Sequence, residues 1–70
     1  MTITGYGKFD IIRRAGKRMK MNRKEFEAAI DRCKAGEEVT VLNKWDKPWF
    51  IMKHIEGDSY KITMLDYPLV

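Results

Sequence analysis

One segment limits the fold more than any other: Asn22-Arg23-Lys24-Glu25 has capping-box spacing, and the apolar pattern behind it runs to a glycine at 36. In such a box the Asn22 side chain accepts an amide hydrogen bond while Glu25 reaches back to the cap. Phe26, Ala29, Ile30 and Cys33 then recur on one helical stripe, with Arg32 and Lys34 at the negative end of the helix dipole and Gly36 as the stop. The spacing therefore predicts a bounded amphipathic helix whose stripe must be covered. A chain of 70 residues buries roughly 60% of its extended surface around a single core, so the expectation is one domain, residues 1–70.

Strand chemistry supplies the cover. Val39-Thr40-Val41-Leu42 is β-branched and apolar, Lys44 to Pro48 reads as a turn, and Trp49 to Ile55 as a second strand. Gly57-Asp58-Ser59 punctuates before Tyr60 to Met64, in which Tyr60, Ile62 and Met64 share a face. Ahead of the helix, Ile3 to Ile12 reads as a strand weakened at its start by Gly5 and Gly7. Arg14-Ala15-Gly16-Lys17 reads as a turn, and Arg18-Met19-Lys20-Met21 as a half-buried return strand. The competing reading is a helix already running from about Ala15, because Met19 shares a helical face with Phe26, Ile30 and Cys33. The expected fold is α+β, a four- or five-stranded, mainly antiparallel sheet on a single α-helix in the order ββαβββ. A hairpin followed by a helix and more strands resembles the element order of β-grasp folds.

Composition excludes several functions. With 44% apolar residues, eight aromatics and charges of mixed sign, the chain belongs with folded proteins rather than disordered ones. The longest run of large apolar side chains, Trp49 to Met52, is far short of the about 20 residues that cross a bilayer, and no secretory apolar stretch opens the sequence. One cysteine allows no internal disulfide, so a cytoplasmic setting is expected. One histidine and one cysteine cannot assemble a zinc site, and no calcium-loop or phosphate-cradling glycine pattern is present, so no cofactor or metal is expected. Cys33 reads as a small core residue and His54 as a strand residue, which leaves no nucleophile and base for an enzyme.

Charge placement is more informative. Residues 8–24 carry eight basic residues against Asp10 alone, a net +7, while residues 25–70 sum to −3. A net charge of +4 thus conceals a concentrated field. Arg13, Arg14, Lys17, Arg18, Lys20, Arg23 and Lys24 are the candidate contacts to an anionic partner. Arg23 and Lys24 stand in the first turn of the expected helix, where cations oppose its dipole, a local rule broken in a way that can mark function. The bland alternative is a solvated face with lysines guarding a strand edge.

Trp45 falls inside a turn, where it either folds back over the core or stands out as an anchor or stacking platform. Trp49 and Phe50, being adjacent in a strand, are expected on opposite faces. With one helix covering one face, Phe50, Met52 and His54 together with Lys61, Thr63 and Leu65 are expected on the open face, a surface for a partner or a homodimer. Tyr67-Pro68-Leu69-Val70 is a further candidate for that interface.

Two functional readings follow. The first is a small non-enzymatic binding protein, an inhibitor or adaptor, that uses Trp45 and Phe50 as anchors and the basic segment to engage an acidic or nucleic-acid-handling protein complex. Small stand-alone proteins that block a host complex, as made by phages and mobile elements and including anti-CRISPR-type inhibitors, act through surfaces of this kind. The second is direct nucleic-acid binding, with the basic residues of 8–24 on phosphates and Trp45 stacking on a base.

Overall fold

The computed structural model describes residues 2–65 of the chain. Strand β1 (Thr2–Tyr6) leads into helix α1 (Lys8–Ala15), a 3-10 turn (Gly16–Arg18) and helix α2 (Arg23–Lys34). Strands β2 (Glu38–Leu42), β3 (Pro48–Glu56) and β4 (Ser59–Met64) complete the order. They form one four-stranded antiparallel sheet, β1-β4-β3-β2, so the α+β class and the antiparallel sheet hold.

Helix α2 forms where the capping box places it. Asn22 Oδ1 accepts the Glu25 amide at 2.8 Å and the Glu25 carboxylate accepts the Asn22 amide at 2.9 Å. At its other end Gly36, at φ +104°, donates to the Cys33 carbonyl, and Glu37 donates to that of Arg32. This paired closure satisfies carbonyls the helix leaves open, and the positive φ is one that glycine adopts without strain. Phe26, Ala29, Ile30 and Cys33 are all buried, as the stripe requires.

The segment before α2 departs from expectation. The strand read over Ile3 to Ile12 ends at Tyr6, and a helix follows. Alternation of Ile3, Phe9 and Ile11 suggested a period of two, but Ile11 and Ala15 are one helical turn apart and both buried, while Phe9 is 61% exposed. Asp10 supports that helix start by accepting the Gly7 amide at 3.1 Å. Arg18 to Met21 is not a hairpin strand either: it makes one isolated bridge, Met19 to Asn43. The order is therefore βααβββ rather than ββαβββ, with two helices rather than one and no N-terminal hairpin of the β-grasp kind. A helix running on from Ala15 is equally absent, since α1 ends there and α2 begins only at Arg23.

Both helices lie against one face of the sheet. Val39, Val41, Phe50, Met52, Tyr60 and Ile62 join Ile11, Ala15 and the α2 stripe in one buried cluster. Trp49 belongs to it too, because Val41 pairs with Phe50 while Leu42 pairs with Pro48. Trp49 is the extra residue of a bulge, fully buried, with its ring 5.2 Å from that of Phe50 in an edge-on contact. The expectation that Trp49 and Phe50 take opposite faces fails at this bulge.

The open face is the expected one at Lys61 and Thr63 but not at Phe50, Met52 and His54. Phe50 and Met52 pair with Met64 and Ile62, and His54 pairs with Tyr60. Directly paired residues share a face, so all three lie on the covered side. The uncovered side carries a row Thr2, Thr63, Ile51, Thr40 and a row Lys61, Lys53, Glu38. A homodimer face built on Phe50 and Met52 therefore does not exist. Tyr67 to Val70 lie outside the described residues.

Candidate functional site

The chain brings its basic segment and its tryptophan turn together through a short stretch of backbone. Gly16, at φ +52°, ends α1 and turns the chain into the 3-10 segment. Residues 18–20 then run beside the end of β2: Lys20 donates to the Leu42 carbonyl at 3.0 Å and Lys44 donates to that of Arg18 at 2.9 Å. The Met19–Asn43 bridge lies between these two bonds, and the Lys20 side chain reaches Asp46 in the turn that follows.

Asn43 shapes the turn that presents Trp45. Its buried side-chain oxygen accepts the amides of Trp45 at 2.9 Å and Lys47 at 3.1 Å. Its backbone exchanges further bonds with Asp46 and Lys47. The loop closes with Asp46 at φ +69°, the left-handed residue of a three-residue hairpin connection. Trp45 is left 64% exposed, with Lys44 Nζ 5.0 Å from its ring centroid. Of the two options open to Trp45, the turn selects the outward one.

The expected basic residues divide by what their charges meet. Lys20 pairs with Asp46, Arg13 with Asp10 at 3.3 Å, and Arg23 with Glu27 at 3.8 Å. Glu27 also takes Lys8 at 3.0 Å, tying α1 to α2, and the hydrogen bond from Lys8 leads the effects that hold its carboxyl below the usual range. Arg14 stacks over Tyr6 at 5.0 Å. Arg18 donates to the Arg14 carbonyl at 2.7 Å and lies 5.4 Å over the Trp49 ring, so it closes the end of α1. Lys17, Lys24, Lys44 and Lys47 are exposed and make no salt bridge among the described residues. The +7 read along residues 8–24 is thus partly neutralised on folding, and what survives is joined by two lysines from the β2–β3 turn.

Phe50 leaves the set of anchors altogether, being fully buried. The sequence reading saw lysines beside Trp45 but did not count Lys44 and Lys47 as candidate contacts, and it passed over Asn43 and the methionines of the groove. An asparagine opening a Lys-Trp-Asp-Lys loop is a turn signal that points to Asn43. Nothing local in the sequence announces that residues 18–20 meet 42–44.

Beside this surface a groove of about 450 Å³ runs between the 3-10 turn and the start of α2. Ile12, Met19, Met21 and Phe26 form its floor and walls, with Lys17 and Arg23 at its rim. Met21 also borders a smaller cleft of about 280 Å³ along the edge of β2, with Lys20, Glu25, Thr40 and Leu42.

Cys33 is buried with its thiol donating to the Met52 carbonyl at 3.6 Å, and burial pushes its pKa up, away from the reactive thiolate. His54 Nε2 is 2.8 Å from the Gly57 carbonyl. Among the described residues no three His, Cys, Asp or Glu side chains group as a metal site, and no helix is long and apolar enough to cross a membrane. Comparison with protein-family models, with curated proteins and with solved structures gives no match.

Proposed function

We propose that the chain is a non-enzymatic binding protein, an inhibitor or adaptor, that engages an acidic surface of a protein complex through Trp45 and the lysines around it. The carrying observation is the Asn43-held turn, which leaves Trp45 exposed with Lys44 Nζ 5.0 Å from its ring centroid and Lys47 in the same turn. An exposed aromatic anchor flanked by cations is the arrangement of a binding hot spot with electrostatic steering. A surface with Asp46 inside it and several cations already committed to internal partners suits a patterned protein surface better than a uniform phosphate track. The reading takes the chain to carry out no reaction and its partner to be cytoplasmic.

The second reading, direct nucleic-acid binding, draws on the same Trp45 beside Lys44, which would stack on an unpaired base. Two measurements separate them. Affinity purification with the tagged chain should recover a defined protein complex that Trp45→Ala or the Lys44→Glu, Lys47→Glu pair loses. Fluorescence titration with short DNA and RNA at low and high salt should show no tight binding. Submicromolar, steeply salt-dependent binding to nucleic acid would overturn the proposal in favour of the second reading.

A further inference from the structure

We infer that the groove between the 3-10 turn and α2 takes an apolar side chain of an acidic peptide segment, with Lys17 and Arg23 receiving the carboxylates on either side of it. The inference rests on the protein-binding reading above and names the partner's chemistry at a second place on the molecule.

The groove is open for structural reasons. Gly16 contributes no side chain to its wall, and the chain bends at Lys20 and Met21 between the 3-10 turn and the Asn22 cap, without a helix or strand to fill the groove. What lines it is apolar and adaptable: Met19 and Met21, two unbranched thioethers, flank Ile12 above the buried ring of Phe26. Methionine surfaces remould around apolar side chains and recur where proteins bind short segments.

Charge complementarity selects the occupant. Both rim residues are cations, Lys17 has no salt bridge among the described residues, and Arg23 has only a distant one to Glu27 at 3.8 Å. Lys24 adds a third cation on the same helical turn. Arg23 stands at the first position of α2, where a carboxylate would favour the helix and a cation opposes it. Its presence there gives up helix stability, and an acidic occupant at the rim is the compensation available. A basic or uncharged segment would gain nothing from this rim.

The test is NMR titration of the full chain with a synthetic peptide of sequence Asp-Glu-Leu-Glu-Leu-Phe-Asp-Glu, against a control with serine at its apolar positions. The expected result is saturable shifts at residues 16–23 and Phe26, at least about tenfold weaker binding after Met21→Glu, and several-fold losses after Lys17→Glu and Arg23→Glu. Thermal melts of Lys17→Glu and Arg23→Glu should match or exceed that of the parent, and Met21→Glu, which loses packing against the core, should keep the parent's shifts in β3 and β4, so lost binding is not lost folding. The control peptide should bind at least about tenfold more weakly. Equal binding by both peptides, no shift at millimolar peptide, or displacement of the peptide by single-stranded DNA at the same residues overturns the inference. Shifts confined to residues 44–47 and abolished by Trp45→Ala overturn the groove while leaving the Trp45 surface as the binding site.

Discussion

Tyr60 and Asn43 show opposite answers to the same demand. Both are buried, and a buried polar atom needs a partner. The Asn43 oxygen has two amides, whereas the Tyr60 hydroxyl has no hydrogen-bond partner among the described residues. Replacing Asn43 by Ala strands both amides, and a loss of about 2 kcal/mol is expected in urea denaturation. Tyr60→Phe removes an unpaired hydroxyl and is expected to be neutral or stabilising by up to about 1 kcal/mol. Burial, ahead of the nearby Asp58 carboxylate, raises the Tyr60 pKa, and the folded protein therefore favours the protonated phenol. Its share of stability is complete below the unfolded tyrosine value of about 10 and is lost as pH climbs beyond it. Denaturation midpoints between roughly pH 9 and 11 should fall less steeply for Tyr60→Phe than for the parent, and the residual slope belongs in part to Cys33, whose pKa is raised in the same sense.

Among the elements, α2 is the one whose own sequence contains its full specification: cap, stripe, dipole and stop. Arg23→Glu tests the cost of its basic first turn, and a gain of about 0.5 kcal/mol is expected by thermal melt even though the ion pair to Glu27 becomes a like-charge pair. The other elements needed information from outside themselves. Ile3 to Ile12 satisfies strand and helix periods about equally over so few residues, and burial of Ile11 with Ala15 decides it. The face of β3 depends on its register. Extra residues at Trp49 and Ile55 bring Phe50, Met52 and His54 onto the covered side, and bulges leave no mark in an alternation pattern. Of the candidate surface, its charge and Trp45 were legible as composition. Its assembly was not, because Met19 and Asn43 are joined by a tertiary bridge.

Across the whole molecule the sheet closes in an uneven way. β3 and β4 are each paired on both sides, and β2 is reinforced at one end by residues 18–20, whereas β1 pairs with β4 alone and its register shifts between Ile3 and Tyr6. Local opening is easiest where fewest buried contacts must break. Hydrogen exchange should find the slowest amides in β3, β4 and α2 and markedly faster ones in β1. Equal protection of β1 would mean that it belongs to the same cooperative unit as the β2–β4 meander.

The union of residues 18–20 with 42–44 also bears on which changes the surface can absorb. Exchange of Lys17, Lys44 or Lys47 alters charge but leaves the alignment of the two segments intact. An insertion or deletion of one residue between Gly16 and Asn22 would slide one segment past the other and rotate Met19 and Met21 relative to the tryptophan. Drift in this region should therefore proceed by substitution at constant length, and a search for divergent copies of the chain gains more from that fixed spacing than from the identity of its basic residues.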